Sequence, residues 1–134
     1  MDGPSDKKAI VIVEDDEASA ELMESLLNDE PDYHAVSVPD AAHALEVIHS
    51  FTVNLLLLDV KLPGMDGFEL YRKLQEEDAT SAIPVIFITA DVGNPQLYSL
   101  ATKNVLKKPF HLEDLLARVA AICRPTSVPS SSSA

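Results

Sequence analysis

The chain has a single cysteine, Cys123, so it cannot form an internal disulfide; this fits a reducing compartment, and cytoplasm is the expectation. Basic residues are scarce. Ten Lys and Arg stand against 22 Asp and Glu, a formal net charge of -12 that repels a phosphate backbone. No Lys/Arg cluster offsets it locally, so nucleic acid is not an expected partner. The longest apolar runs, such as Leu55 to Leu58, fall far short of the roughly 20 residues that span a bilayer. The start, Met1 to Lys8, has acidic residues and no apolar stretch behind it, so neither a signal peptide nor a membrane partner is expected. A soft-metal site lacks support too: His34, His43, His49 and His111 show no ligand spacing, and Cys123 stands alone. Composition by itself leaves open whether the acidity serves solubility or a cation site.

What the chain does have is apolar residues, 46% of 134, enough for the core of one domain and too few residues for two ordinary ones. The continuous apolar run Ala9 to Val13 suits a strand covered on both faces. Glu17 to Leu27 reads as a helix with Ala18, Leu22, Met23, Leu26 and Leu27 as its apolar stripe, closed by Pro31. A second strand, His34 to Val38, precedes a helix opened by Pro39-Asp40, whose Ala41, Ala44, Leu45 and Ile48 keep helical spacing. Val53 to Leu58 is a third strand. The segment Pro63-Gly64-Met65-Asp66-Gly67 then turns into a helix that can set Phe68, Tyr71 and Leu74 against the sheet. Pro84 to Thr89 gives a fourth strand, Pro95 to Ala101 a short helix, and Asn104 to Lys107 a fifth strand. A last helix carries Leu112, Leu115, Leu116, Val119 and Ile122 and ends near Arg124-Pro125. The expected organisation is an N-terminal extension (1–8), one domain (9–124) and a disordered Ser/Pro-rich tail (125–134). Five βα units point to a doubly wound α/β sheet of five parallel strands with five helices, whose site lies at the strand carboxyl ends.

Carboxylates gather at that edge. Glu14, Asp15 and Asp16 follow the first strand, and Asp59 follows the third. Two carboxylates ~4 Å apart repel by about 4 kcal/mol at an effective dielectric of about 20, so they take up protons or hold a cation. Mg²⁺ suits such oxygen ligands. The plainer reading of the triplet is an acidic turn and helix cap. The fourth strand end contributes Thr89 and the fifth Lys107-Lys108-Pro109.

The set Val13-Glu14-Asp15, Leu58-Asp59, Pro63-Gly64-Met65-Asp66-Gly67, Thr89-Ala90 and Lys108-Pro109-Phe110, in this order, resembles the receiver domains of two-component response regulators from about Ala9 to Arg124. The resemblance implies a CheY-like, flavodoxin-like fold of strand order 2-1-3-4-5. It implies that Asp59 is the phosphoacceptor, taking a phosphoryl group from a histidine kinase or phosphotransfer protein as an acyl phosphate. Glu14, Asp15, Asp59 and the backbone carbonyl of Lys61 would hold Mg²⁺. Thr89 and Lys108 would each bind a phosphoryl oxygen, Lys108 rather than Lys107 because it directly precedes the proline, a bond that is cis in the family. Asp16 falls outside the acidic pair and is expected to cap the first helix. Lys61 and Asp91 would overlook the pocket as modulators, pairing across it. Such a chain is not an enzyme with a separate substrate; it assists its own phosphotransfer and autodephosphorylation. No output domain is read after the last helix, which fits either a stand-alone receiver or one excised from a longer protein; if it stands alone, its output would be contact with a protein target or with its own copy.

Two features depart from the pattern. Val105 stands where receivers carry an aromatic switch residue, and the stretch from Thr89 to Lys108 is about three residues short, so the fourth helix is expected to be short or shifted. These changes leave room for a second reading, a receiver-like binding module that works without phosphorylation. A haloacid-dehalogenase-like phosphatase fits less well, because its acid catalyst would occupy the position of Lys61 and the chain lacks a cap domain. A flavodoxin-like electron carrier needs a phosphate loop after the first strand, which is missing.

Overall fold

The structure is a computed structural model and describes residues 7–98 and 104–123. Strand and helix alternate as β1 (Lys8–Val13), α1 (Glu17–Asn28), β2 (Tyr33–Val38), α2 (Ala41–Ser50), β3 (Leu55–Asp59), α3 (Gly67–Gln75), α4 (Asp78–Ser81), β4 (Val85–Thr89), α5 (Pro95–Tyr98), β5 (Val105–Lys107) and α6 (Leu112–Ile122). The five strands form one sheet in the order β2-β1-β3-β4-β5, every pair parallel. The register sets Val13 beside Leu58, Asp59 beside Ile88 and Thr89 beside Lys107, so the strand ends carrying the candidate site lie side by side.

Helices cover both faces, which is why the inner strands read as continuous apolar runs. Val11, Val13, Leu56, Leu58 and Phe87 belong to one core with Ala44 and Ile48 of α2 and Phe68, Tyr71 and Leu74 of α3. Ile10, Ile12, Leu55, Leu57, Ile86 and Ile88 belong to the other, with Met23 and Leu27 of α1 and Leu115 and Val119 of α6. Leu55 to Leu58 are all fully buried. Each such leucine contributes about 1.5–3 kcal/mol relative to exposure, so β3 holds Asp59 on a firm support.

Several expectations change in detail. Six helices, not five, are present among the described residues. The added one, α4, is a four-residue turn, too short to show any hydrophobic period. Buried Thr80 anchors it by donating its hydroxyl to the Leu74 carbonyl at 2.6 Å. In α1 the buried residues are Ala20, Met23 and Leu27; Ala18 and Leu22 face out, Leu22 53% exposed. β3 starts at Leu55, because Asn54 pairs with Ala9 instead, its amide donating to the Ala9 carbonyl and its side-chain oxygen accepting from the Ala9 amide. Lys8, placed in the extension, opens β1. Of the helix expected over Pro95–Ala101, α5 covers Pro95–Tyr98; residues 99–101 lie outside the described residues, as do 1–6, Arg124-Pro125 and the tail 125–134.

Both sheet edges are closed by side chains. On β2, Asn28 accepts from the Ala35 amide and donates to the Ala35 carbonyl, at 2.8 and 2.9 Å, and Glu24 accepts from the Ser37 amide at 2.9 Å. On β5, Arg118 of α6 donates to the Val105 carbonyl at 2.7 Å. Filled edge groups leave little template for another strand to add to.

Candidate functional site

The acids and the lysine meet because four adjacent parallel strands end at one edge. Glu14 follows β1, its amide donating to the Val38 carbonyl, and the residue is only 3% exposed. Asp59 ends β3 at 6% exposure, and Thr89 ends β4 at 4%. Lys108 directly follows β5, and the Lys108-Pro109 peptide is cis. Asp15 is exposed. Asp16 caps α1, accepting from the Ser19 amide at 2.9 Å, which also lowers its pKa.

The Lys108 ammonium bridges the two buried acids, 3.0 Å from Glu14 Oε1 and 3.0 Å from Asp59 Oδ2. The remaining oxygens are engaged by backbone: Glu14 Oε2 accepts from the Asp16 amide at 3.1 Å, and Asp59 Oδ1 from the Lys61 amide at 3.0 Å. Burial raises the pKa of Glu14, nearby Asp59 adds to that, and Lys108 opposes it. For Lys108, burial disfavours the charged form, but the bonds to Asp59 and Glu14 outweigh it and leave the pKa raised.

One carboxylate oxygen from each of Glu14, Asp15 and Asp59 falls within 4.8 Å of the others. Three hard anionic oxygens suit a divalent cation of the Mg²⁺, Mn²⁺ or Ca²⁺ kind and not a thiolate- or imidazole-seeking one. The loop after β3 is shaped around this site. Gly64 takes a left-handed φ of 74°, and a Cβ on Gly67 would lie 2.5 Å from the Asp59 carbonyl oxygen, so only glycine lets α3 begin so close to Asp59. Asp66 and Glu69 form a capping box there.

Thr89 Oγ1 accepts from the Asp91 amide at 3.0 Å. Lys61 and Asp91 are both exposed, and no ion pair joins them among the described residues, so the expected pairing across the opening is not formed. Lys107 is exposed on the edge strand. Val105 pairs with Phe87 and packs into the core on the α2–α3 side. The sequence reading missed a neighbouring apolar groove of about 460 Å³, lined by Leu22 and Met23 of α1, Ala90, and Lys108, Phe110 and Leu112. Leu22 fits the apolar stripe of α1 by spacing; its position between buried Ala20 and Met23 shows how a helical stripe can include a residue at the rim.

The family model described as response regulator receiver domain matches residues 10–120. The chain belongs to that family. Its members are the receiver domains of two-component response regulators. Response regulator protein GraR of Staphylococcus epidermidis is 32% identical over 118 residues, covering 86% of this chain and 51% of GraR. The chain thus spans about half the length of the first curated relatives it matches. The receiver domain of sensor histidine kinase PA1611 from Pseudomonas aeruginosa PAO1, solved with a magnesium ion coordinated in the active site cleft, shares the fold at a TM-score of 0.78 and 22% identity, covering 87% of this chain and 97% of that one. The Mn²⁺-bound form of response regulator Rcp1 is similar at a TM-score of 0.70 and 28% identity, covering 86% and 91%.

The central lysine gives a pH-dependent prediction. Lys108→Met leaves Glu14 and Asp59 without their cation, at a cost of about 1–3 kcal/mol after allowing for the partial exposure of Lys108. The pKa of Glu14 then rises further above its ordinary 4.5, so the deficit is small below that pH and grows as pH rises and Glu14 ionises. Urea denaturation in chelator at about pH 4 and pH 7 checks this; equal deficits at both pH values would mean that Lys108 acts through packing alone.

Proposed function

We propose that this receiver is a phosphoacceptor: a phosphoryl group passes to Asp59 from the phosphohistidine of a sensor histidine kinase or phosphotransfer protein, or from a small phosphodonor. The observation that carries the reading is the Asp59 carboxylate, buried at the end of β3, within reach of Glu14 and Asp15 on one side and bonded to Lys108 on the other. An Asp59 oxygen attacks phosphorus, the phosphorus–nitrogen bond to the donor imidazole breaks, and the imidazole leaves with its electron pair and takes up a proton.

Glu14, Asp15, Asp59 and the Lys61 carbonyl would hold Mg²⁺, which supplies neutralisation of charge on the transferring oxygens. The Mn²⁺-bound form of the relative Rcp1 supports a divalent cation as a ligand of this receiver. Lys108 starts 3.0 Å from Asp59 Oδ2, so it can move to a phosphoryl oxygen as the carboxylate charge is consumed, while Glu14 keeps hold of it. Thr89 accepts from the Asp91 amide, which leaves its own proton to donate to a second phosphoryl oxygen. Lys61 and Asp91 flank the opening as modulators of how long the phosphoryl group lasts. The groove around Leu22, Phe110 and Leu112 adjoins Lys108 and gives a protein donor an apolar surface beside the reacting atoms. The product of the reaction is a switched protein-interaction surface that acts on a protein target or a second copy.

Intact mass after incubation with acetyl phosphate tests the reading. A phosphate-sized gain is expected for wild type with Mg²⁺, and none for Asp59→Asn or in chelator. A protein that gains no mass even with a phosphorylated histidine kinase as donor is the phosphate-independent binding module instead. After donor removal, Lys61→Ala should lose the added mass at a changed rate. Leu22→Glu should slow labelling by the kinase about tenfold while labelling by acetyl phosphate stays unchanged, as about 1.4 kcal/mol of lost docking gives; equal slowing with both donors would place Leu22 outside the docking surface.

A further inference from the structure

Val105 lacks the ring that would let a switch residue move with the phosphorylated state, so a change at Thr89 needs another way out of the site. The hydrogen bonds after β4 provide one. Thr89 Oγ1 accepts from the Asp91 amide at 3.0 Å, the Asp91 carbonyl accepts from the Asn94 amide at 3.3 Å, Asn94 Oδ1 accepts from the Gln96 amide at 2.9 Å, and Gln96 Oε1 accepts from Arg72 Nη2 on α3 at 2.8 Å. We propose that this relay, Thr89–Asp91–Asn94–Gln96–Arg72, carries the phosphorylated state from the buried site to the exposed α3–α5 face. The proposal rests on the phosphoacceptor reading above.

Its direction follows from the hydroxyl. With the Asp91 amide on its oxygen, Thr89 has its hydroxyl hydrogen free, and donating it in a hydrogen bond to a phosphoryl oxygen makes Oγ1 a stronger acceptor. The bond to Asp91 tightens, Asp91 holds Asn94 more firmly, and Asn94 fixes the first turn of α5 against Arg72. The relay therefore tightens the β4–α5 loop on phosphorylation, and no buried ring has to change rotamer. The segment suits such control: Asp91, Val92 and Gly93 are exposed, and the hydrogen bonds just named run through it from Thr89 to α5.

Amide exchange followed by NMR, on the full chain with excess acetyl phosphate and Mg²⁺ and with intact mass recorded on the same samples, tests the relay. In wild type the Asp91, Asn94 and Gln96 amides should slow by about fivefold on phosphorylation, and the Arg72 side-chain N–H signal should shift. In Asn94→Ala the slowing should persist at Asp91 and vanish at Gln96, and the Arg72 shift should vanish with it. Asn94→Asp, which keeps the acceptor oxygen, should restore it and so separates loss of the link from a disturbed loop. Full mass gain with unchanged amides, or a Gln96 response that survives Asn94→Ala, overturns the relay and leaves the phosphoacceptor reading standing. Absence of any mass gain overturns both, because the relay then has no input.

Discussion

Charge repulsion among carboxylates at the end of a parallel sheet is the constraint around which this molecule is arranged. Glu14 and Asp59 are almost out of water and close enough to share one ammonium, and Asp15 lies within 4.8 Å of both in its oxygen positions. Such a cluster takes up protons or needs cationic compensation, and Lys108 supplies one charge from the end of β5. One ammonium against three acids leaves the site net negative. That residual charge makes a divalent cation welcome and, once it is present, an incoming phosphoryl group tolerable.

The rest of the fold keeps those few atoms in place. Leucines with no exposed surface hold the strand that ends in Asp59, and β1, covered on both faces, holds Glu14. Gly67 lets α3 begin against the Asp59 backbone, where any side chain would displace it. The edges are closed by Asn28, Glu24 and Arg118, so the sheet presents its reactive end and its helices to partners. Buried apolar residues lie under the site, and Asp91, Val92 and Gly93 of the loop after β4 are exposed. Arrangements of this kind let a local change in charge bias one exposed segment without loosening the core.

Much of this was legible in the chain because it depends on local pattern. Continuous apolar runs marked β1, β3 and β4, helical spacing marked α2 and α3, and the residues after Val13, Leu58, Ile88 and Leu106 marked the site. Other features were not legible, for specific reasons. The four residues of α4 are too few for a period, so its existence depends on Thr80 meeting the Leu74 carbonyl. Leu22 fits a helical stripe as well as a buried residue does, yet whether a stripe position is core or rim depends on what packs above it. Pairing of Lys61 with Asp91 was a matter of two opposite charges near one opening, and spacing along the chain says nothing about whether their side chains meet.

By itself, then, the sequence determined the order of elements, the parallel sheet and the acids and threonine at its end, because short-range periodicity and position along a strand are properties of the chain alone; between Lys107 and Lys108 it was the family resemblance that chose. Tertiary structure decided which groups are in contact: that Lys108 spans Glu14 and Asp59 across 94 and 49 residues of chain, that Asn28 closes the β2 edge, and that Thr89 is linked through Asp91, Asn94 and Gln96 to Arg72. Those contacts arise where distant segments are folded together, and a hydrogen bond depends on an atom's position to within a few tenths of an ångström. No residue pattern records that.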